Sequence, residues 1–222
     1  PAGTGKTRAA EEAAKVMGLD FYPKSVGPST EVGDLFGLKT ATGDFSPGIV
    51  LEPFINGGLL LLDELDAGSG EALVALNTLL ANGYASFPDG SVRQKSENFY
   101  CVVAMNTFGQ GAAGAYTRLD IDGATLDRLT FLPWGYDRKL ERDIAASMAN
   151  ELRKPEIVAW CEYVQSARDA AEMIDSHAII GTRSIIEGAK LIGVGFTLAE
   201  TAEARIWASI DPDESAKIKA GM

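Results

Sequence analysis

The chain has 222 residues and a net charge of −11, with 46% hydrophobic and 23% charged residues, which suits one globular core plus a small satellite domain. The acidic balance disfavours a protein that coats DNA or an anionic membrane, because phosphate contacts need clustered Lys and Arg and no basic run here exceeds pairs such as Arg153-Lys154. No apolar run is long enough to span a bilayer, and Cys101 and Cys161, far apart in apolar stretches, read as buried free thiols in a reducing cytoplasmic setting.

The first residues, Pro1-Ala2-Gly3-Thr4-Gly5-Lys6-Thr7, fit the phosphate-binding pattern G-x-x-x-x-G-K-[ST], except that its leading glycine would precede Pro1. Small residues there let consecutive backbone N–H groups close around phosphate oxygens, and the helix that follows adds its positive dipole end. Ala2, Gly3, Thr4 and Gly5 are expected to cradle the phosphates of ATP. Lys6 would reach the β- and γ-phosphates, and the Thr7 hydroxyl would sit on Mg²⁺. The strand that feeds such a loop would also precede Pro1, so the chain reads as truncated inside the loop and as part of something longer.

Residues 8–17 are rich in Ala, Glu and Lys and predict a helix ended by Gly18. A short strand is expected over 20–26, then a helix over 31–36 capped from Ser29-Thr30, then a hairpin or mobile loop over 37–49. Asn56-Gly57-Gly58 leads into Leu59-Leu60-Leu61-Leu62, cut off by Asp63-Glu64. Such a run marks a strand buried on both faces, as in a parallel sheet. A helix over 71–81 with Leu73, Leu76, Leu79 and Leu80 on its apolar face follows. After it come a hairpin around Pro88-Asp89-Gly90 and a second buried strand over 99–105 that ends at Asn106-Thr107. A glycine-rich loop over 109–114, a short helix ending at 126–128 and a strand over 130–133 complete this half. Alternating buried strands and helices behind a phosphate loop predict a doubly wound α/β fold with a parallel sheet.

From Arg138 the pattern is helical only. Pro155 starts a helix with Ile157, Cys161, Val164 and Ala171 on one face. Ser184-x-x-Glu187 and Thr197-x-x-Glu200 read as capping boxes, and Asp211-Pro212 caps a further helix. The expected organisation is an α/β nucleotide-binding core over 1–137 and a small all-α domain over 138–222.

The chemistry concentrates at Asp63-Glu64. A strand that ends in two carboxylates delivers them to the ligand edge of a parallel sheet. Asp63 would hold Mg²⁺ and Glu64 would orient and polarise the attacking water, which makes ATP hydrolysis the expected activity. His177 is the sole histidine, has no Cys or His neighbour at ligand spacing, and reads as structural or solvated. Trp134, Trp160 and Trp207 read as packing residues.

Five segments together resemble the AAA+ ATPases, above all the dynein-related group with the MoxR-type ATPases and the ATPase subunit of cobaltochelatase. They are Gly3-Thr4-Gly5-Lys6-Thr7, Asp63-Glu64-Leu65-Asp66-Ala67-Gly68, Met105-Asn106-Thr107-Phe108-Gly109, Ala124-Thr125-Leu126-Asp127-Arg128-Leu129 and Gly181-Thr182-Arg183. The run Asn106-Thr107-Phe108-Gly109-Gln110-Gly111 leading to Leu126-Asp127-Arg128 is most similar to the cobaltochelatase type. Residues 43–50 fall where this group carries an inserted hairpin.

The resemblance implies a P-loop core followed by a helical lid. It gives Asn106 the role of sensor 1, whose amide contacts the γ-phosphate or the attacking water. Arg128 takes the place of the arginine finger that reaches a neighbouring subunit's nucleotide, with Arg118 as its nearest rival, and Arg183 that of sensor 2. A finger supplied in trans implies a homo-oligomeric ring, a hexamer in this family. A protein partner with a von Willebrand A-type domain is implied as well, and the ring would remodel that partner. A nucleic-acid-translocating motor and a nucleotide-gated scaffold without turnover are the competing readings. The acidic charge disfavours the first, and the intact Asp63-Glu64 pair with Asn106 disfavours the second.

Overall fold

The computed structural model describes residues 2–107, 118, 120–148 and 153–222. They fall into two compact units, Lys6–Leu132 on the one hand and Pro1–Gly5 with Pro133–Met222 on the other. Pro1 and the glycine-rich run over 109–114, with Phe108 before it, lie outside the described residues.

The first unit is α/β. Its elements are α1 (Lys6–Met17), β1 (Phe21–Ser25), α2 (Val32–Phe36), β2 (Leu38–Lys39), β3 (Phe45–Ser46), α3 (Leu51–Asn56), β4 (Gly58–Asp63), α4 (Gly70–Ala81), β5 (Tyr84–Ser86), β6 (Val92–Gln94), β7 (Phe99–Val103) and α5 (Gly123–Leu126). β1, β4 and β7 form a parallel sheet in the order β1-β4-β7, while β2-β3 and β5-β6 are antiparallel hairpins.

The leucine run explains why β4 is central. Side chains alternate across a strand. Leu60 and Leu62 enter one cluster with Phe54 of α3 and Leu73, Leu76 and Leu79 of α4. Leu59 and Leu61 enter another with Ala10 and Ala14 of α1, where two alanines one helical turn apart let α1 lie close on the sheet. All four leucines are buried, and a strand covered on both faces reads as an unbroken apolar run. Pro23, which has no N–H for a ladder, sits in β1 at the sheet's margin, where proline is tolerated.

Three local expectations are corrected. α2 is capped by Glu31 in a reciprocal box with Asp34, not from Ser29-Thr30, because the Thr30 hydroxyl is engaged by the Gly27 N–H. The strand expected to be buried over 99–105 ends at Val103 and leaves Tyr100 and Val102 44% and 37% exposed, so only one of its faces packs into the core. Residues 130–133 form no strand: Phe131 and Leu132 are 42% and 76% exposed, and Pro133 has no N–H to give a neighbour.

The second unit is all helical beyond its opening segments. It contains α6 (Arg138–Ser147), α7 (Lys154–Met173), α8 (Thr182–Gly193), α9 (Leu198–Arg205), a 3₁₀ turn (Trp207–Ser209) and α10 (Pro212–Gly221). The face expected on α7 is buried, and Ile157, Trp160, Cys161 and Val164 pack with Ile185, Ala189 and Ile192 of α8 and Ile218 of α10. α8 approaches α7 closely because Gly188 has no side chain: a Cβ there would lie 2.3 Å from the Trp160 ring. The Trp160 indole N–H is satisfied by the Ile185 carbonyl at 3.1 Å. The Thr197/Glu200 box and the Asp211 cap form as expected. Ser184 does not cap α8, which begins earlier from Gly181 and leaves Ser184 buried inside the first turn. Among the described residues, no helix is long and apolar enough to cross a membrane.

Candidate functional site

Because the three sheet strands are parallel, their C-terminal ends share one edge. Asp63 ends β4 opposite Ser25 of β1, and Asn106 follows shortly after β7. α1 begins at Lys6. The Lys6 ammonium donates to Asn106 Oδ1 at 2.9 Å, and the Thr7 hydroxyl donates to Asp63 Oδ2 at 2.5 Å. Two pairs separated by 100 and 56 residues in sequence thus converge at the start of one helix. Burial lowers the Lys6 pKa below its ordinary value of 10.5, opposed by the charges of Asp63, Asp66 and Glu64.

The Thr7–Asp63 pair also bears on metal. Among the described residues no cluster of three or more His, Cys, Asp or Glu could hold an ion by itself. Mg²⁺ needs no such cage, since it is usually bound through one or two carboxylates plus substrate phosphates and water. A hydroxyl and a carboxylate, both hard oxygen donors already in contact, fit that ion.

Glu64 is exposed and adopts a left-handed conformation, φ 57° and ψ 39°, which is uncommon for a residue other than glycine. Its N–H donates to Asp63 Oδ1 at 3.0 Å. This tight turn ends the strand and leads into the 3₁₀ turn Leu65–Ala67.

Asp66 entered the sequence reading only as part of the segment Asp63 to Gly68 and was given no role of its own. It is fully buried. Its Oδ2 accepts from the Asn106 N–H at 3.1 Å, the Thr107 N–H at 2.9 Å and the Thr107 hydroxyl at 2.9 Å. Arg118 Nε lies 3.4 Å from Asp66 Oδ1, and Arg118 Nη2 lies 3.9 Å from Glu64 Oε2. The rival finger candidate is thereby engaged by acids of its own chain. Arg128 stands apart from this cluster: it is exposed just after α5, and its guanidinium donates to the Ala124 carbonyl.

The other expected residues belong to the helical unit. Gly3 and Gly5 have φ of +72° and +81°, a region that glycine enters without steric cost. The Ala2 carbonyl accepts from the Tyr136 hydroxyl and the Thr4 carbonyl from the Trp134 indole, both at 3.1 Å. Trp134, expected as a packing residue, is 41% exposed and serves this hydrogen bond. The Ala2-Gly3 backbone runs against the start of α8: a Cβ on Gly181 would lie 3.0 Å from the Ala2 carbonyl, and one on Gly3 would lie 3.8 Å from Arg183 Cβ. Arg183 is exposed.

Behind this contact lies a buried polar network. Arg168 caps the Tyr136 ring at 3.6 Å and pairs with Glu141 at 2.8 Å. Glu141 also accepts from Thr182 at 2.6 Å and Gln165 at 3.0 Å. Burial alone would raise the Glu141 pKa, but hydrogen bonds from Arg168 and Thr182, the Arg168 charge and the Gln165 amide hold it below 4.5.

Other reactive side chains take no part. Burial pushes the thiols of half-buried Cys101 and buried Cys161 up to about 12 and about 11, so both stay protonated and unreactive at neutral pH. His177 is exposed, and its backbone N–H donates to Glu214.

A family model described as an AAA domain of the dynein-related subfamily matches residues 1–129. Comparison with curated proteins gives no match. Among solved structures, a crystal structure of NtrX from Brucella abortus superposes with a TM-score of 0.62 at 14% identity, covering 100% of this chain and 55% of that one. NtrX from Brucella abortus in complex with ADP does so with a TM-score of 0.62 at 16% identity, covering 95% and 49%. The chain therefore spans about half the length of these solved chains, and at such identity the likeness is one of fold.

Proposed function

The chain belongs to the dynein-related subfamily of AAA domains, and from that premise we propose that it binds ATP with Mg²⁺ and hydrolyses it at the subunit interfaces of a ring. The observation that carries this reading is the convergence of Lys6 with Asn106 and of Thr7 with Asp63. The helix N-terminus and the ends of two parallel strands there hold a cation, a hydroxyl, a carboxylate and an amide for one phosphate chain. The ADP bound to NtrX, which shares the fold, is in keeping with a nucleotide ligand.

In this reading Ala2, Gly3, Thr4 and Gly5 offer backbone N–H groups to the phosphates, and Lys6 holds the β- and γ-phosphates. Thr7 and Asp63 hold the metal. Mg²⁺, when bound, supplies neutralisation of the charge developing on the phosphate oxygens. Glu64 orients and polarises the attacking water, and Asn106 contacts that water or the γ-phosphate. Arg128 acts on the nucleotide of a neighbouring subunit, and Arg183 acts in cis. Nucleotide state then drives remodelling of a protein partner, as in MoxR-type and cobaltochelatase-type ATPases, with a von Willebrand A-type domain as the partner class.

ATP turnover measured against protein concentration, with Glu64→Gln and Arg128→Ala alongside, tests the proposal. Specific turnover rises with assembly and falls in both variants, for Arg128→Ala by about 10³-fold or more. A wild-type protein that binds ATP and assembles but turns over no faster than Glu64→Gln would overturn the reading in favour of a nucleotide-gated scaffold.

A further inference from the structure

The acid Asp66 has no part in the scheme above, yet it is the most heavily bonded carboxylate beside the site. It is fully buried, and one of its oxygens accepts from both backbone N–H groups of the Asn106-Thr107 turn and from the Thr107 hydroxyl. Bonds to an ionised acceptor are about twice as strong as neutral ones. Three of them on one oxygen fix both the path of the backbone and the point from which the Asn106 side chain leaves it. That side chain then meets the Lys6 ammonium at 2.9 Å. The Arg118 guanidinium, 17% exposed, lies 3.4 Å from the other carboxylate oxygen as an ion-pair contact.

We infer that Asp66 is a positioning residue for ATP hydrolysis: it sets the Asn106 amide, and through it the Lys6 ammonium, at the place where the terminal phosphate reacts. It touches no substrate itself. The consequence lies in turnover more than in binding, because the loop backbone, Lys6 and Thr7 all remain when Asp66 is neutralised. This rests on Asn106 acting on the nucleotide as proposed above.

Asp66→Asn keeps the shape, can still accept through one oxygen, and removes the charge. In the protein as it stands, Asp66→Asn lowers kcat about tenfold or more with KM for ATP and affinity for ADP little changed, which is the pattern of an interaction felt in the transition state. Combined with Asn106→Ala it adds little to the loss that Asn106→Ala causes alone, because the two act as one unit. Amide hydrogen exchange at Asn106 and Thr107 in the nucleotide-free protein accelerates in Asp66→Asn, a readout independent of activity. Thr107→Val removes one of the three donors with less risk to folding and shifts kcat in the same direction by a smaller factor.

Multiplicative losses in the double variant, unchanged exchange at both amides, or a fall in ADP affinity that accounts for the whole loss would overturn the inference and leave Asp66 as a turn-former only. If Asn106→Ala itself leaves turnover intact, the role of Asn106 fails and the inference fails with it. That outcome is distinct from one in which Asn106→Ala is inactive and Asp66→Asn is not.

Discussion

At the scale of single residues, the Lys6 ammonium carries the sharpest physical consequence. Its pKa is lowered chiefly by burial, so the folded protein releases this proton below 10.5 while the unfolded chain keeps it up to that value. Between those two points the unfolded state binds more protons, and stability therefore gains as pH rises through the window. Phosphate binding has the opposite sign, since it favours the charged lysine. Nucleotide affinity is expected to weaken as pH rises towards 10.5 while the thermal midpoint of the apo protein does not fall in parallel, and Lys6→Met should remove this divergence. Calorimetric titration of ADP in buffers of different ionisation enthalpy would show proton uptake on binding in that range. The sequence sets a glycine loop and a lysine at the start of α1 and two acids after the β4 leucines, and the fold brings Lys6 to Asn106 and Thr7 to Asp63. The part of Asp66 was not legible in the sequence, because its bonds run to residues 40 and 41 positions away and leave no mark in local spacing.

At the scale of elements, a buried charge pair and its neighbours tie three helices of the helical unit. Glu141 on α6 meets Arg168 and Gln165 on α7 and Thr182 at the start of α8. Its depressed pKa means that its contribution is fully present above about 4.5 and is lost as pH falls through the lower, folded value. Glu141→Gln should abolish that acid-dependent part of the stability. At neutral pH it should destabilise the unit by about 3–5 kcal/mol, because Arg168 is left charged and buried without its partner. All three tryptophans lie in this unit, so intrinsic fluorescence followed from neutral to acid pH isolates the effect. Element boundaries were legible where one signal dominated: β4 from its leucines, α7 from its apolar face, α9 and α10 from their caps. They were missed where tertiary bonds competed. Ser184-x-x-Glu187 has the composition of a cap, but α8 starts at Thr182, whose hydroxyl is drawn to Glu141. Residues 130–133 have strand composition, yet Phe131 and Leu132 stay exposed where a strand of the sheet would bury them.

At the scale of the whole molecule, the α/β class followed from one apolar run and what flanks it, and the same run has a cost outside the folded state. Leu59, Leu60, Leu61 and Leu62 are buried only once α1, α3, α4 and the neighbouring strands have closed over them. Until then they form a short, uncharged, strongly associating segment of the kind that seeds aggregates. Asp63, Glu64 and Asp66 follow at once, and charges at the end of such a segment act as gatekeepers that keep nascent chains apart. The acids that would serve the nucleotide therefore also guard the chain during folding. Asp63→Asn and Glu64→Gln, made to silence the chemistry, are expected to raise light scattering during refolding from denaturant and to lower the soluble yield, and a distant neutralisation such as Glu203→Gln should do neither. The same three charges that the proposed chemistry calls on would then also decide whether the newly made chain reaches its fold before it meets a neighbour.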